Sequence, residues 1–93
     1  MAGRVYDTDM RITHKDTEAI FASTVAAAKG AGVEDAAKWV LYRGESFYRL
    51  VTIDYPGEGH RTVVSYLGNT AAEAYRALSF MREAFFLVSD SKN

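Results

Sequence analysis

The sequence predicts an α+β domain: a small antiparallel sheet of three to four strands with two helices, in the order β-α-β-β-β-α. Three observations predict it. Two stretches with apolar residues at helical spacing, 14–29 and 70–88, each open on a Thr-x-x-acid pattern, Thr13 with Asp16 and Thr70 with Glu73. Between them, residues 38–67 are rich in β-branched and aromatic side chains and are broken by turn residues at Gly44 and across 54–60. Finally, 93 residues with 48% apolar and 25% charged content and no Cys describe one domain, 1–93, with a single core and no disulfide framework.

Each element has its own local reason. Residues 4–12 alternate loosely, Tyr6, Thr8, Met10 and Ile12 against Val5, Asp7, Asp9 and Arg11, which suits an edge strand. Thr13 then caps a helix to Lys29, with Phe21, Val25 and Ala28 on its apolar stripe, several alanines permitting close approach, and Gly30 as the left-handed cap. The segment 36–43 satisfies helical spacing as well as strand spacing. Trp39, Val40, Leu41 and Tyr42 are strand formers, so a strand is expected, turning at Gly44-Glu45 into a second strand that starts at Ser46. The run Asp54, Tyr55, Pro56, Gly57, Glu58, Gly59 and His60 reads as an exposed hairpin loop. A third strand, 61–67, stops at Gly68-Asn69, and Asn69 or Thr70 caps the last helix, beyond which 89–93 reads as a fraying tail. Phe21, Val25, Val51, Ile53, Leu78, Met81 and Phe85 are the expected core.

Two sheet faces emerge from this alternation, and neither is polar. The second strand puts Phe47, Arg49, Val51 and Ile53 on one side and Ser46, Tyr48, Leu50 and Thr52 on the other; the third puts Val63 and Leu67 opposite Val64 and Tyr66. A sheet half-apolar on both faces is expected to be covered on both. The last helix also carries more apolar residues than one stripe needs. A homodimer or a partner-bound state is expected in place of an isolated monomer, with Phe80 and Phe86 as the dimer face.

Composition limits the chemistry. A net charge of -1 and a pI near 6.1 oppose affinity built on neutralising many phosphates. The longest strongly apolar run, 84–88, is far short of the roughly 20 residues of a membrane span, and the start of the chain has no signal-peptide core, so a cytoplasmic protein with no membrane partner is expected. His14 and His60 have no partner at ligand spacing; Asp54, Glu58 and His60 share one turn with no second His, which reads as a solvated loop. Asp7 and Asp9 read as solvated edge-strand charges. Gly30-Ala31-Gly32 follows a helix where a phosphate cradle would open one. No catalytic residues, metal or cofactor are expected.

What the residues favour is binding. Tyr55, beside Pro56 at the hairpin tip, has the exposure and composition of an interface anchor, and Tyr48, Arg49, Glu58, His60 and Arg61 complete the expected partner-binding set. The leading expectation is a small non-catalytic interaction protein that binds and modulates or inhibits a larger macromolecular protein partner, as phage-type anti-defence (anti-CRISPR-like) inhibitors do.

The second half of the chain carries a resemblance. Tyr42-Arg43-Gly44, the strand from Tyr48 to Asp54, and the strand from Val63 to Gly68 running into Thr70-Ala71-Ala72-Glu73-Ala74-Tyr75-Arg76-Ala77 resemble the three-strands-plus-helix pattern of AP2 domains and phage integrase arm-binding domains. The resemblance implies DNA read by the sheet, with Arg43, Arg49, Arg61 and Trp39 as its contacts.

Overall fold

The structure, a computed structural model, describes residues 12–55 and 60–91, with the side chains of 53–55, 60 and 61 outside the description. The expected strand at 4–12 lies outside the described residues apart from Ile12. From Thr13 onward the chain forms α1 (His14–Gly30), a short 3-10 turn (Glu34–Lys38), strands β1 (Trp39–Arg43), β2 (Tyr48–Tyr55) and β3 (His60–Gly68), and α2 (Ala71–Ser91). The strands form an antiparallel sheet in the order β1-β2-β3. This is an α+β fold with both helices on one sheet face.

Both helix starts are fixed locally. The Thr13 hydroxyl accepts from the Asp16 N–H at 3.3 Å and the Asp16 carboxylate accepts from the Thr13 N–H at 2.9 Å, a reciprocal capping box. At α2 the Thr70 hydroxyl accepts from the Glu73 N–H at 3.1 Å, but the Glu73 carboxylate reaches one residue further back, to the Asn69 N–H at 2.7 Å. The chain enters that turn through Gly68 at φ +142°, where a side chain would meet Glu73 Cβ at 2.5 Å.

Several boundaries differ from expectation. Residues 36–38, expected to begin the first strand, lie in the 3-10 turn, and Tyr55 and His60, expected in the exposed loop, end β2 and open β3 as a paired position. Three further boundaries differ for a local reason. Gly30 is the last helical residue of α1 and the left-handed glycine is Gly32, at φ 94°, because Ala31 still donates to Ala27 and Ala28 and closes the helix itself. The first hairpin turns at Glu45-Ser46, one residue later than expected: Gly44 donates to the Phe47 carbonyl at 2.9 Å, and Arg43 pairs with Tyr48. The Phe47 ring lies over Gly44, in the space a Cβ would take, so a larger residue there would displace the ring. Lastly, α2 continues through the expected tail to Ser91, whose hydroxyl bonds the Leu87 carbonyl at 2.9 Å.

The core also differs in membership. Tyr48, Leu50, Leu67, Ala74 and Leu78 form its buried centre, with Ile20, Phe21, Trp39, Leu41 and Met81 packed around them. Leu78 and Val51 are buried as expected; Val25, Phe21, Met81 and Phe85 are only half-buried. The centre of the α1 stripe is instead polar by composition. Thr17 and Thr24 are fully enclosed, and their hydroxyls donate across to the α2 carbonyls of Ala71 at 2.9 Å and Leu78 at 3.1 Å. Arg82 Nε to Ser23 and Ser89 to the Gly30 carbonyl extend the same ascending sequence, so the helices run parallel. Small residues on both partners, Ala27, Ala28 and Ala31 on α1 and Ala71 and Ala74 on α2, allow backbone carbonyls of one helix to lie within reach of side chains of the other.

Candidate interaction surface

The helices leave the other sheet face uncovered by either of them. Register places Val40, Val51 and Val63 in one row across the three strands and Tyr42, Arg49 and Tyr66 in the next. Phe47 closes the hairpin end of this face, with its ring 5.8 Å from that of Tyr42 and the Arg49 guanidinium 4.4 Å from its centroid. Stacking of this kind holds an arginine's planar fork in place while leaving its edges able to donate. Tyr66, opposite Arg49, is 55% exposed and its hydroxyl donates to the Asn69 side chain. Val51 is buried within its row, whereas Val63 on the outer strand is about half exposed.

Two irregularities in β3 shape this face. Leu50 pairs with Ser65 and Val51 with Val63, so Val64 is an extra residue; Leu67 is skipped in the same way between Tyr66 and Gly68. The bulge at Val64 reverses the alternation, because one inserted residue moves every later side chain to the opposite side. Val63 and Leu67, expected on one side, are therefore separated: Val63 lies on the open face and Leu67 in the core. Val64 is left exposed beside it.

The sequence-derived site residues are not gathered in one place. Tyr48 is 4% exposed and belongs to the helix-covered face, its hydroxyl 3.1 Å from His14 Nδ1 and the two rings 5.7 Å apart, so it anchors α1 to the sheet and has no surface to offer a partner. Its neighbour Arg49 is on the open face. Arg43 lies 6.0 Å over the Tyr48 ring, on the side opposite Arg49, and Trp39 packs against the core with its ring 6.1 Å from Phe85. Arg43 and Arg49 thus do not share a stripe. Glu58 lies outside the described residues; Tyr55, His60 and Arg61 are placed by backbone only, Tyr55 opposite His60 and Ile53 opposite Arg61.

His14 has a second neighbour, Glu18 Oε2 at 3.5 Å from Nε2, one helical turn on. The series Tyr48, His14, Glu18 links a hydroxyl, an imidazole and a carboxylate, but its hydroxyl is enclosed by the core. Its role is to register the first turn of α1 on β2. No group of His, Cys, Asp and Glu able to hold a metal occurs among the described residues. Among the same residues, no helix is long and apolar enough to cross a membrane.

Phe80 and Phe86 are both exposed, at 74% and 43%, but six positions along a helix places them roughly 120° apart. Phe86 lies under the Arg82 guanidinium at 4.6 Å, toward α1. Phe80 shares its side with Leu87, 69% exposed, which sequence reasoning missed; the seven-residue interval was its signal. An open groove of about 300 Å³ beside Phe80 is lined by Ile12, Tyr75, Arg76, Ser79 and Glu83.

Comparison with known proteins gives no match to a family model, to a curated protein or to a solved structure.

Proposed function

We propose that this protein is a binding module whose working surface is the open sheet face, engaging a larger protein partner through Tyr42, Phe47, Arg49 and Tyr66. The observation that carries the reading is the ordered aromatic–arginine cluster at the hairpin end, with Arg49 stacked on Phe47 and Tyr42 against the same ring. Tyr and Arg dominate interface hot spots because they combine large apolar area with directional donors. Here part of their ordering cost is already met within the monomer. Binding at this face modulates the partner by occlusion, the mode of action of a small inhibitor.

The test is recovery of a partner by the wild-type chain and its loss with Arg49→Ala or Tyr66→Ala, circular dichroism confirming that each variant stays folded. Each substitution is expected to weaken binding by at least tenfold with little dependence on salt. Recovery of duplex DNA instead, with affinity falling steeply as salt rises, would replace the protein partner by nucleic acid. Undiminished binding in both variants would remove the open face from consideration.

A further inference from the structure

On the flank of α2 that faces away from α1, the helix surface carries its own pattern. Ala77, Phe80, Ala84 and Leu87 follow one another at intervals of three, four and three residues, the seam spacing of paired helices. Phe80, Ala84 and Leu87 are exposed, and Val88 beside them is about half exposed. We infer that this seam is where a second copy of the chain docks, with the two α2 helices antiparallel.

Size and charge select the occupant and its direction. The seam alternates small and large residues, Ala77 and Ala84 against Phe80 and Leu87. In an antiparallel pair each large side chain meets an alanine of the other copy: Phe80 faces Ala84, and Leu87 faces Ala77. A parallel pair would set Phe80 against Phe80 and Ala84 against Ala84, crowding one layer and leaving a void in the next. The flanking positions agree. Antiparallel pairing brings Arg76 of each copy to Asp90 of the other and Met81 to its own counterpart, whereas parallel pairing sets Arg76 and Glu83 beside the apolar Met81 and Val88. One unfavourable contact remains, Glu83 against its own counterpart at the two-fold axis. Phe80, Leu87 and Val88 present roughly 300 Å² of apolar surface per copy, well under the roughly 800 Å² per partner of a stable complex, so the dimer is a weak, reversible one.

Sedimentation equilibrium of the full chain tests this. A monomer–dimer equilibrium in the micromolar range is expected, weakened at least tenfold by Phe80→Glu or Leu87→Glu and tightened several-fold by Glu83→Gln, which removes the like-charge contact. Phe80 stands clear of the core, so its substitution does not threaten folding. Direction is read by cross-linking, which the Cys-free chain makes unambiguous. Ala77→Cys mixed with Leu87→Cys should give a disulfide-linked heterodimer, while each alone stays uncross-linked. A chain that stays monomeric at millimolar concentration overturns the inference, as does a dimer indifferent to Phe80→Glu. Self-cross-linking of Ala77→Cys alone would overturn the antiparallel arrangement.

Discussion

Replacing Thr24 by Val measures how much of the helix pair rests on hydroxyl–carbonyl contacts. The two side chains are nearly the same shape, so the substitution removes the hydroxyl while keeping the packed volume. The single Thr24 hydroxyl proton is shared between the Ile20 carbonyl, 2.7 Å from Oγ1, and the Leu78 carbonyl, 3.1 Å from it, in a site 1% exposed. Neither carbonyl is orphaned by the change, because each sits inside a helix and keeps its own intrahelical donor. The loss is therefore that of a net hydrogen bond, about 1 kcal/mol, with a further few tenths where a methyl must sit against an oxygen. Thr17→Val removes the equivalent bond to the Ala71 carbonyl. The two sites are two helical turns, about 10 Å, apart, so the double variant should lose about the sum, 2–3 kcal/mol. Urea denaturation reads this directly, as a midpoint shift at unchanged slope; in a thermal scan each kcal/mol corresponds to about 4–8 °C for a domain of this size. Thr24→Val at or above wild-type stability would refute the reasoning and leave apolar contact alone to hold the helices together.

Other substitutions probe the junctions. Gly68→Ala should cost about 1–3 kcal/mol in the same assay, since it sets a side chain at a left-handed φ and against Glu73. Thr70→Ala should lose about 1 kcal/mol as the α2 cap fails. Tyr48→Phe should cost about 0.5–1.5 kcal/mol by removing the contact to His14; His14→Phe made in the Tyr48→Phe background should then cost less than it does alone, which a double-mutant cycle detects.

Features set by neighbouring residues are legible in the sequence, and features set across the fold are not. The Thr13–Asp16 capping box, the Gly68-Asn69 stop and the strand at Trp39–Arg43 depend on residues a few positions apart. The β2 faces follow from the sequence as far as Ile53, because no residue is inserted in that strand before the irregularity between Ile53 and Tyr55. In β3 the bulge at Val64 is invisible to alternation, since it is fixed by pairing with β2, and it moves Val63 to the face of Tyr66, opposite Leu67. Apolar residues alone, Phe21, Val25 and Ala28, displace the apparent centre of the α1 stripe from Thr17 and Thr24. Threonine is a poor sign of burial unless an acceptor waits for its hydroxyl, and here the acceptors belong to a helix more than fifty residues away. Tyr48 is misplaced by sequence for the same reason: its polar tip suggests a surface, and its partner, His14, lies in a different element.

The layer order ties the two proposed surfaces together. Both helices cover one face of the sheet, and the seam lies on the flank of α2 away from α1, so it and the open sheet face are separate surfaces. Two copies joined through that flank of α2 would sit side by side, leaving both Arg49–Phe47 clusters uncovered by the contact. Such a particle presents two identical sites, and a partner with repeated epitopes would be held far more tightly than by either site alone. The two surfaces share no residue, which makes them separable by mutation. Phe80→Glu should abolish the dimer and lose the avidity on a densely displayed partner, while leaving single-site affinity unchanged; Arg49→Ala should weaken single-site affinity and leave the dimer intact. If Phe80→Glu also weakened single-site binding in a chain that remained folded, the surfaces would be coupled through the layer of Leu50, Leu67 and Leu78 between them, and the separation argued from layer order would fail.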